Sequence, residues 1–171
     1  MLDLFVLDAV SGDRIPVSVE AATEADLACT RDWQTNWTSQ DAKELPNKVA
    51  LHHKASGELL GLMSYVEDGT LLAVEIIYIE SAVHSNANLL HQSGTKKKYV
   101  GIAKALFAYA ISVSKAAGYD GVLVFKAKTS ELVTYYMQEF GAQHVGSYDP
   151  FRLVIWEDAA EEILKVYWRE I

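Results

Sequence analysis

The stretch TKKKYVGIAKAL, residues 95–106, decides how the chain is read. Lys96, Lys97 and Lys98 stand directly before an apolar segment of helical period, in which Ile102, Leu106, Tyr109 and Val113 share one stripe. A helix N-terminus carries partial positive charge and unpaired N–H groups, so it repels ammonium groups. Three cations there become favourable when an anion joins them. Gly101, which has no Cβ, would let that anion approach the first-turn amides. The stretch therefore predicts a phosphate-bearing ligand at the start of a helix over 98–117, ended by Gly118.

Upstream, DLFVLDA (3–9) and IPVSVE (15–20) flank the turn SGDR and predict a hairpin. Thr23, with Asp26 three residues on, forms a capping-box pattern for a helix continuing to about Trp37, followed by a loop over 38–47. KVALHHK (48–54), LLGLMSYV (59–66) and LLAVEIIYIES (71–81) are strands joined by short turns, as in an antiparallel meander. A polar loop spans 82–96. After the long helix come the strand GVLVFKA (121–127), the helix SELVTYYMQEF (130–140) closed by Gly141, the strand FRLVIW (151–156) and a terminal helix over 158–168. A strand, a long helix and a strand form a βαβ crossover, which demands a parallel pair. The fold class is α/β: a mixed, mostly antiparallel sheet with helices on both faces and one crossover, in a single domain over 1–171.

The net charge of −8 argues against a nucleic-acid binder. Its distribution says more. Residues 96–128 hold seven lysines against Asp120 alone, a net +6, so the rest of the chain carries −14. A basic island in an acidic chain suits a small polyanion, and the acidic remainder suits a cationic or amine-bearing second ligand. No apolar run approaches the roughly 20 residues of a membrane span, and MLDLFVLDAVSGD has no basic region typical of a signal peptide. The single cysteine, Cys29, forms no internal disulfide and reads as a small buried hydrophobe; the expected compartment is the cytoplasm. His84 and His91 lack an evident third ligand, so no metal is expected.

The patterns GxxxxGK[ST] and GxGxxG are absent. Lys98-Tyr99-Val100-Gly101-Ile102-Ala103 instead resembles the [RQ]xxGx[GA] signature of the GNAT acyltransferase superfamily, with Lys98 where Arg or Gln is usual. The element order from about residue 17 to 157 is similar to the core of that family, and SELVTYYMQEFGA (130–142) is similar to its next motif. An unrelated α/β fold with a lysine-rich helix start is the competing reading. The resemblance implies an N-acetyltransferase that moves an acetyl group from acetyl-CoA, its acyl-donor cosubstrate, to a primary amine by direct transfer. The amine would belong to a small molecule or peptide, with no nucleic acid, membrane or metal involved and a homodimer as one assembly open to the fold. The resemblance puts the pyrophosphate on Lys97, Lys98, Tyr99, Val100, Gly101, Ile102 and Ala103. A coenzyme A-binding sensor or scaffold of the same fold, without catalysis, is the alternative.

Acyl transfer needs an amine without its proton, donors for the oxyanion, and a proton for the leaving thiolate. For the base, strand 71–81 offers Glu75 and Glu80, on opposite faces unless a bulge intervenes. The resemblance favours Glu75, with Glu80 second. It also assigns backbone groups of Ser81, Ala82 and Val83 to the oxyanion and the pantetheine arm. The family's acid is a tyrosine four residues before the helix-ending glycine; here that position is Met137, and Tyr136 lies one residue earlier. Either Tyr136 serves or solvent protonates the thiolate. Ser130 is a pantetheine contact by resemblance or a helix N-cap by position.

Overall fold

The computed structural model describes residues 1–86, 90 and 96–170. Nine strands occur among them: β1 Phe5–Asp8, β2 Arg14–Ala21, β3 Lys48–His53, β4 Leu59–Asp68, β5 Ala73–Ser81, β6 Tyr99–Val100, β7 Leu123–Lys126, β8 Gln143–His144 and β9 Arg152–Ile155. The helices are α1 Glu24–Ala28, α2 Gln40–Lys43, α3 Ile102–Ala116, α4 Ser130–Phe140 and α5 Glu157–Tyr167. The sheet order is β6-β1-β2-β3-β4-β5-β7-β9-β8. β5 and β7 are parallel across the α3 crossover, with Val74 opposite Leu123. Their antiparallel neighbours include β1–β2, β2–β3, β3–β4 and β7–β9. The mixed, mostly antiparallel sheet with one parallel pair is the fold class read from the sequence.

Four features depart from expectation. The first helix stops at Ala28 instead of reaching Trp37, because Cys29 and Thr30 turn their amides to Asp26 and Leu27 three residues back. The Thr30 hydroxyl also donates to the Leu27 carbonyl at 2.6 Å. Beyond that, the amides of Gln34 and Thr35 bond to a distant carboxylate and not to helical carbonyls. The expected loop 38–47 instead contains α2, capped by Ser39. The long helix begins at Ile102, because Tyr99 and Val100 pair with Asp8 and Leu7 as a short strand. β8 has no signal in the sequence; two exposed residues carry no period.

Two compact units divide the chain. Residues 3–64 and 78–106 form one, whose core includes Leu27, Trp37, Ala50 and Leu62. The other comprises residues 1–2, 65–77 and 107–171. In it Phe107, Phe125, Tyr136 and Phe140 form an aromatic cluster with centroids 4.8–5.5 Å apart. On the other face of β7, Ala73, Val122, Val124 and Val154 pack together.

Candidate active site

Entry into α3 requires a glycine. Gly101 has φ +94°, a conformation that an L side chain adopts only under strain, and the space where its Cβ would lie is open to 4 Å. The first intrahelical bond runs from the Ala105 amide to the Gly101 carbonyl. The amides of Ile102, Ala103 and Lys104 therefore face out of the helix end, where they and the macrodipole favour an anion. Lys96, Lys97 and Lys98 are exposed just before it. Partial desolvation holds the Lys97 ammonium below the usual lysine range.

Two of the expected amides are otherwise engaged. Val100 is a ladder partner of Leu7, and the Tyr99 amide donates to Ser85 Oγ at 3.0 Å. The amides that the helix ladder leaves unused are those of Ile102, Ala103 and Lys104. Gly61 on β4 seats the helix: a Cβ there would lie 2.9 Å from Ile102 Cγ2, 3.1 Å from Leu106 Cδ1 and 3.3 Å from the Glu80 carbonyl. Its role was not legible in the sequence, since LLGL reads as an ordinary strand.

Past the end of β5, the Ala82 amide donates to the Leu60 carbonyl at 2.8 Å. This corrects its expected ligand-facing role. Val83 opens a single 3-10 turn that does not use its amide. Next comes a side-chain relay. His84 Nε2 lies 2.7 Å from Glu58 Oε1, and its Nδ1 lies 2.7 Å from Ser85 Oγ. Lys98 Nζ is 3.8 Å from the other Glu58 oxygen. Cys29, Asp32, Trp33, Glu58, Leu59, Ala82, Val83 and His84 line a cavity of about 460 Å³. Cys29 is exposed there, contrary to the expectation of burial, because α1 ends before it.

Glu80 is 5% exposed. Its Oε2 accepts from the Gln34 amide at 2.6 Å, and its Oε1 from the Thr35 amide at 3.0 Å and the Trp37 indole at 3.1 Å. A carboxylate with both oxygens so occupied fastens the segment after α1 to β5. Asp26 forms the expected capping box with Thr23 and also reaches His52 at 2.7 Å. Burial opposes ionisation of Asp26, but the Thr23 amide and His52 outweigh it and hold its pKa below the ordinary value.

On α4, Thr129 is the cap, accepting from the Leu132 amide. Ser130 is exposed and begins the helix, which corrects its N-cap alternative. Tyr136 faces inward, stacked on Phe107, while Met137 is 37% exposed. Burial, aided by Tyr135, pushes the Tyr136 phenol up to about 12. Glu75 is the partner of Val124, on the face opposite Phe125 and hence opposite Tyr136. The two expected proton-transfer groups do not converge. Among the described residues no group of three or more metal-ligating side chains forms, and no helix is long and apolar enough to cross a membrane. His91 lies outside the described residues.

No family model and no curated protein matches the sequence. Solved structures do match the fold. A GNAT-family acetyltransferase from Listeria monocytogenes 4b F2365 is 15% identical with a TM-score of 0.54, over 82% of this chain and 94% of its own. AtaTR bound with acetyl-CoA is 14% identical with a TM-score of 0.54, over 86% and 97%. AtaT complexed with acetyl-methionyl-tRNAfMet is 13% identical with a TM-score of 0.51, over 86% and 98%. The fold is the acyl-CoA N-acyltransferase fold. It is the architecture of the GNAT acetyltransferases.

Proposed function

We propose that this chain is an acetyl-CoA-dependent N-acetyltransferase acting on a primary amine by direct transfer, without a covalent enzyme intermediate. The strongest support is the α3 entrance: a positive-φ glycine with open space beside it, amides aimed outward and lysines before it, on a GNAT fold. Acetyl-CoA would supply an acyl group already activated as a thioester. The chain's part is to hold the diphosphate at Gly101–Lys104 and Lys96–Lys98 and to offer the Val83 amide to the oxyanion. The amine loses a proton, its lone pair forms the C–N bond, the C–S bond breaks and the thiolate takes a proton. Because Glu75 and Tyr136 occupy opposite faces, one reacting centre recruits at most one of them directly. Tyr136 as the acid and Glu75 as the base are therefore alternatives, tested separately by Tyr136→Phe and Glu75→Gln.

The net charge of −8 favours a small-molecule or peptide amine over a nucleic acid, although AtaT is seen with an acetyl-methionyl-tRNA. The expected setting is the cytoplasm, with a homodimer as one open assembly. The test is thiol release from acetyl-CoA across an amine panel, alongside coenzyme binding. Lys97→Glu with Lys98→Glu should weaken coenzyme binding on the order of tenfold at low salt, and less at high salt. Unchanged affinity at low salt overturns the diphosphate site. The second reading, a coenzyme A-binding module without catalysis, draws on the burial of Tyr136 and its separation from Glu75. Binding without thiol release would select it.

A further inference from the structure

We propose that the cavity between the segment after α1, the start of β4 and the 3-10 turn is a site for an organic ammonium, held by Asp32 and Glu58 against the ring of Trp33. The reading as an acetyltransferase enters only in calling that cation the acyl acceptor; cation binding itself needs no coenzyme. The cavity's about 460 Å³ suits a small arylalkyl or alkyl amine. Two carboxylates line it, and no lysine or arginine does so among the described residues. Asp32 is exposed and makes no ion pair among the described residues. Trp33 packs against the core of Leu27, Trp37, Ala50 and Leu62 and also lines the cavity, where an indole suits a cation–π contact. Leu59 and Val83 supply apolar wall for the carbon arm.

Glu58 is held in place for this role. His84 binds one of its oxygens at 2.7 Å and is itself fixed by Ser85, which the Tyr99 amide holds in turn. His84 has both ring nitrogens engaged, so it is a positioning residue. Among the described residues the second Glu58 oxygen meets the Lys98 ammonium at 3.8 Å, too long for a hydrogen bond and open to a better donor. Lys98 also belongs to the anion-binding stretch. An anion drawing Lys98 away frees Glu58, so anion and cation should assist one another.

Cys29, the chain's single cysteine, lines the cavity and reports on it without any activity measurement. Its alkylation by iodoacetamide is followed by mass spectrometry with 2-phenylethylammonium or the neutral 2-phenylethanol present. The ammonium should protect Cys29 and the alcohol should not. Asp32→Asn and Glu58→Gln should each weaken the protecting affinity about fivefold, the worth of one partly exposed ion pair. Lys98→Ala should strengthen it by about twofold to fivefold, by relieving the competing charge on Glu58. Thermal melts of the same variants confirm folding. Equal protection by alcohol and ammonium, or protection unchanged when Asp32→Asn and Glu58→Gln are combined, overturns the site. Cation protection without thiol release sinks the acyl-transfer reading and leaves the cation site standing.

Discussion

Glu80→Gln separates a structural carboxylate from a catalytic one. The substitution keeps the shape and replaces one oxygen with an NH2 group. With the amide oxygen kept toward Thr35 and Trp37, the NH2 faces the Gln34 amide, so the 2.6 Å bond is lost and two donors confront each other. A hydrogen bond to a charged group is worth about 1.5–3 kcal/mol. The two surviving bonds drop from charge-assisted to neutral, losing about half their strength. Against this, the variant no longer buries a charge, which recovers part of the loss. The net expectation is a destabilisation of about 2–4 kcal/mol, read as a fall of roughly 5–15 °C in Tm for a chain of this size. Amide exchange should quicken at Gln34, Thr35 and the Trp37 indole before it does elsewhere. Trp37→Phe removes one donor, so in a double-mutant cycle its cost should be smaller on the Glu80→Gln background than on the native one. A variant with native Tm and exchange but lost activity refutes the clamp and returns Glu80 to the chemistry.

Gly61→Ala drives a methyl into Ile102 and Leu106, and overpacking of that kind costs about 1–3 kcal/mol. Coenzyme binding should weaken along with Tm, by calorimetric titration; a native affinity would free the α3 entrance from its seat on β4. Tyr136→Phe keeps the ring stack on Phe107 and removes only the hydroxyl, so turnover should fall on the order of 10²-fold with coenzyme affinity intact, if the phenol protonates the thiolate. At neutral pH that phenol stays protonated, its pKa being near 12. Because it is raised above the unfolded value, it contributes stability below about pH 10 that fades as pH climbs through 12, and Tyr136→Phe should flatten that alkaline limb. Asp26 has the opposite sign. Its folded pKa lies below the unfolded 3.8, so its contribution is present above that pH and lost as acid protonates the folded carboxylate. Asp26→Asn should flatten the acid limb in urea melts below about pH 4; an unchanged slope refutes the role given to His52 and Thr23.

Much of this architecture is local in origin and could be read from neighbouring residues. The meander follows from strand patterns separated by turns such as ASGE and EDGT, and the α1 cap follows from Thr23 and Asp26. The crossover follows from a helical stripe between two apolar strands, because a parallel pair needs a long return path. Gly101 stood out for what it lacked, and its φ of +94° is the conformation such a residue permits.

The site depends on partners far apart in sequence, and no periodicity encodes them. Glu80 looked like any strand carboxylate until the fold brought it to amides 45 and 46 residues away. Glu58 sits in a turn and His84 in a polar loop, yet they meet at 2.7 Å across 26 residues. Only the register of β5 on β7 put Glu75 on the face opposite Tyr136. Sequence alone determined the order and type of the longer elements, though not α2, β6 or β8, and marked where an anion would be tolerated, because helix period, caps and turn glycines act over a few residues. Which carboxylate is a fastener, which faces a cavity and which amides remain free were decided by tertiary structure, since burial and hydrogen bonding are properties of the surroundings and not of the residue.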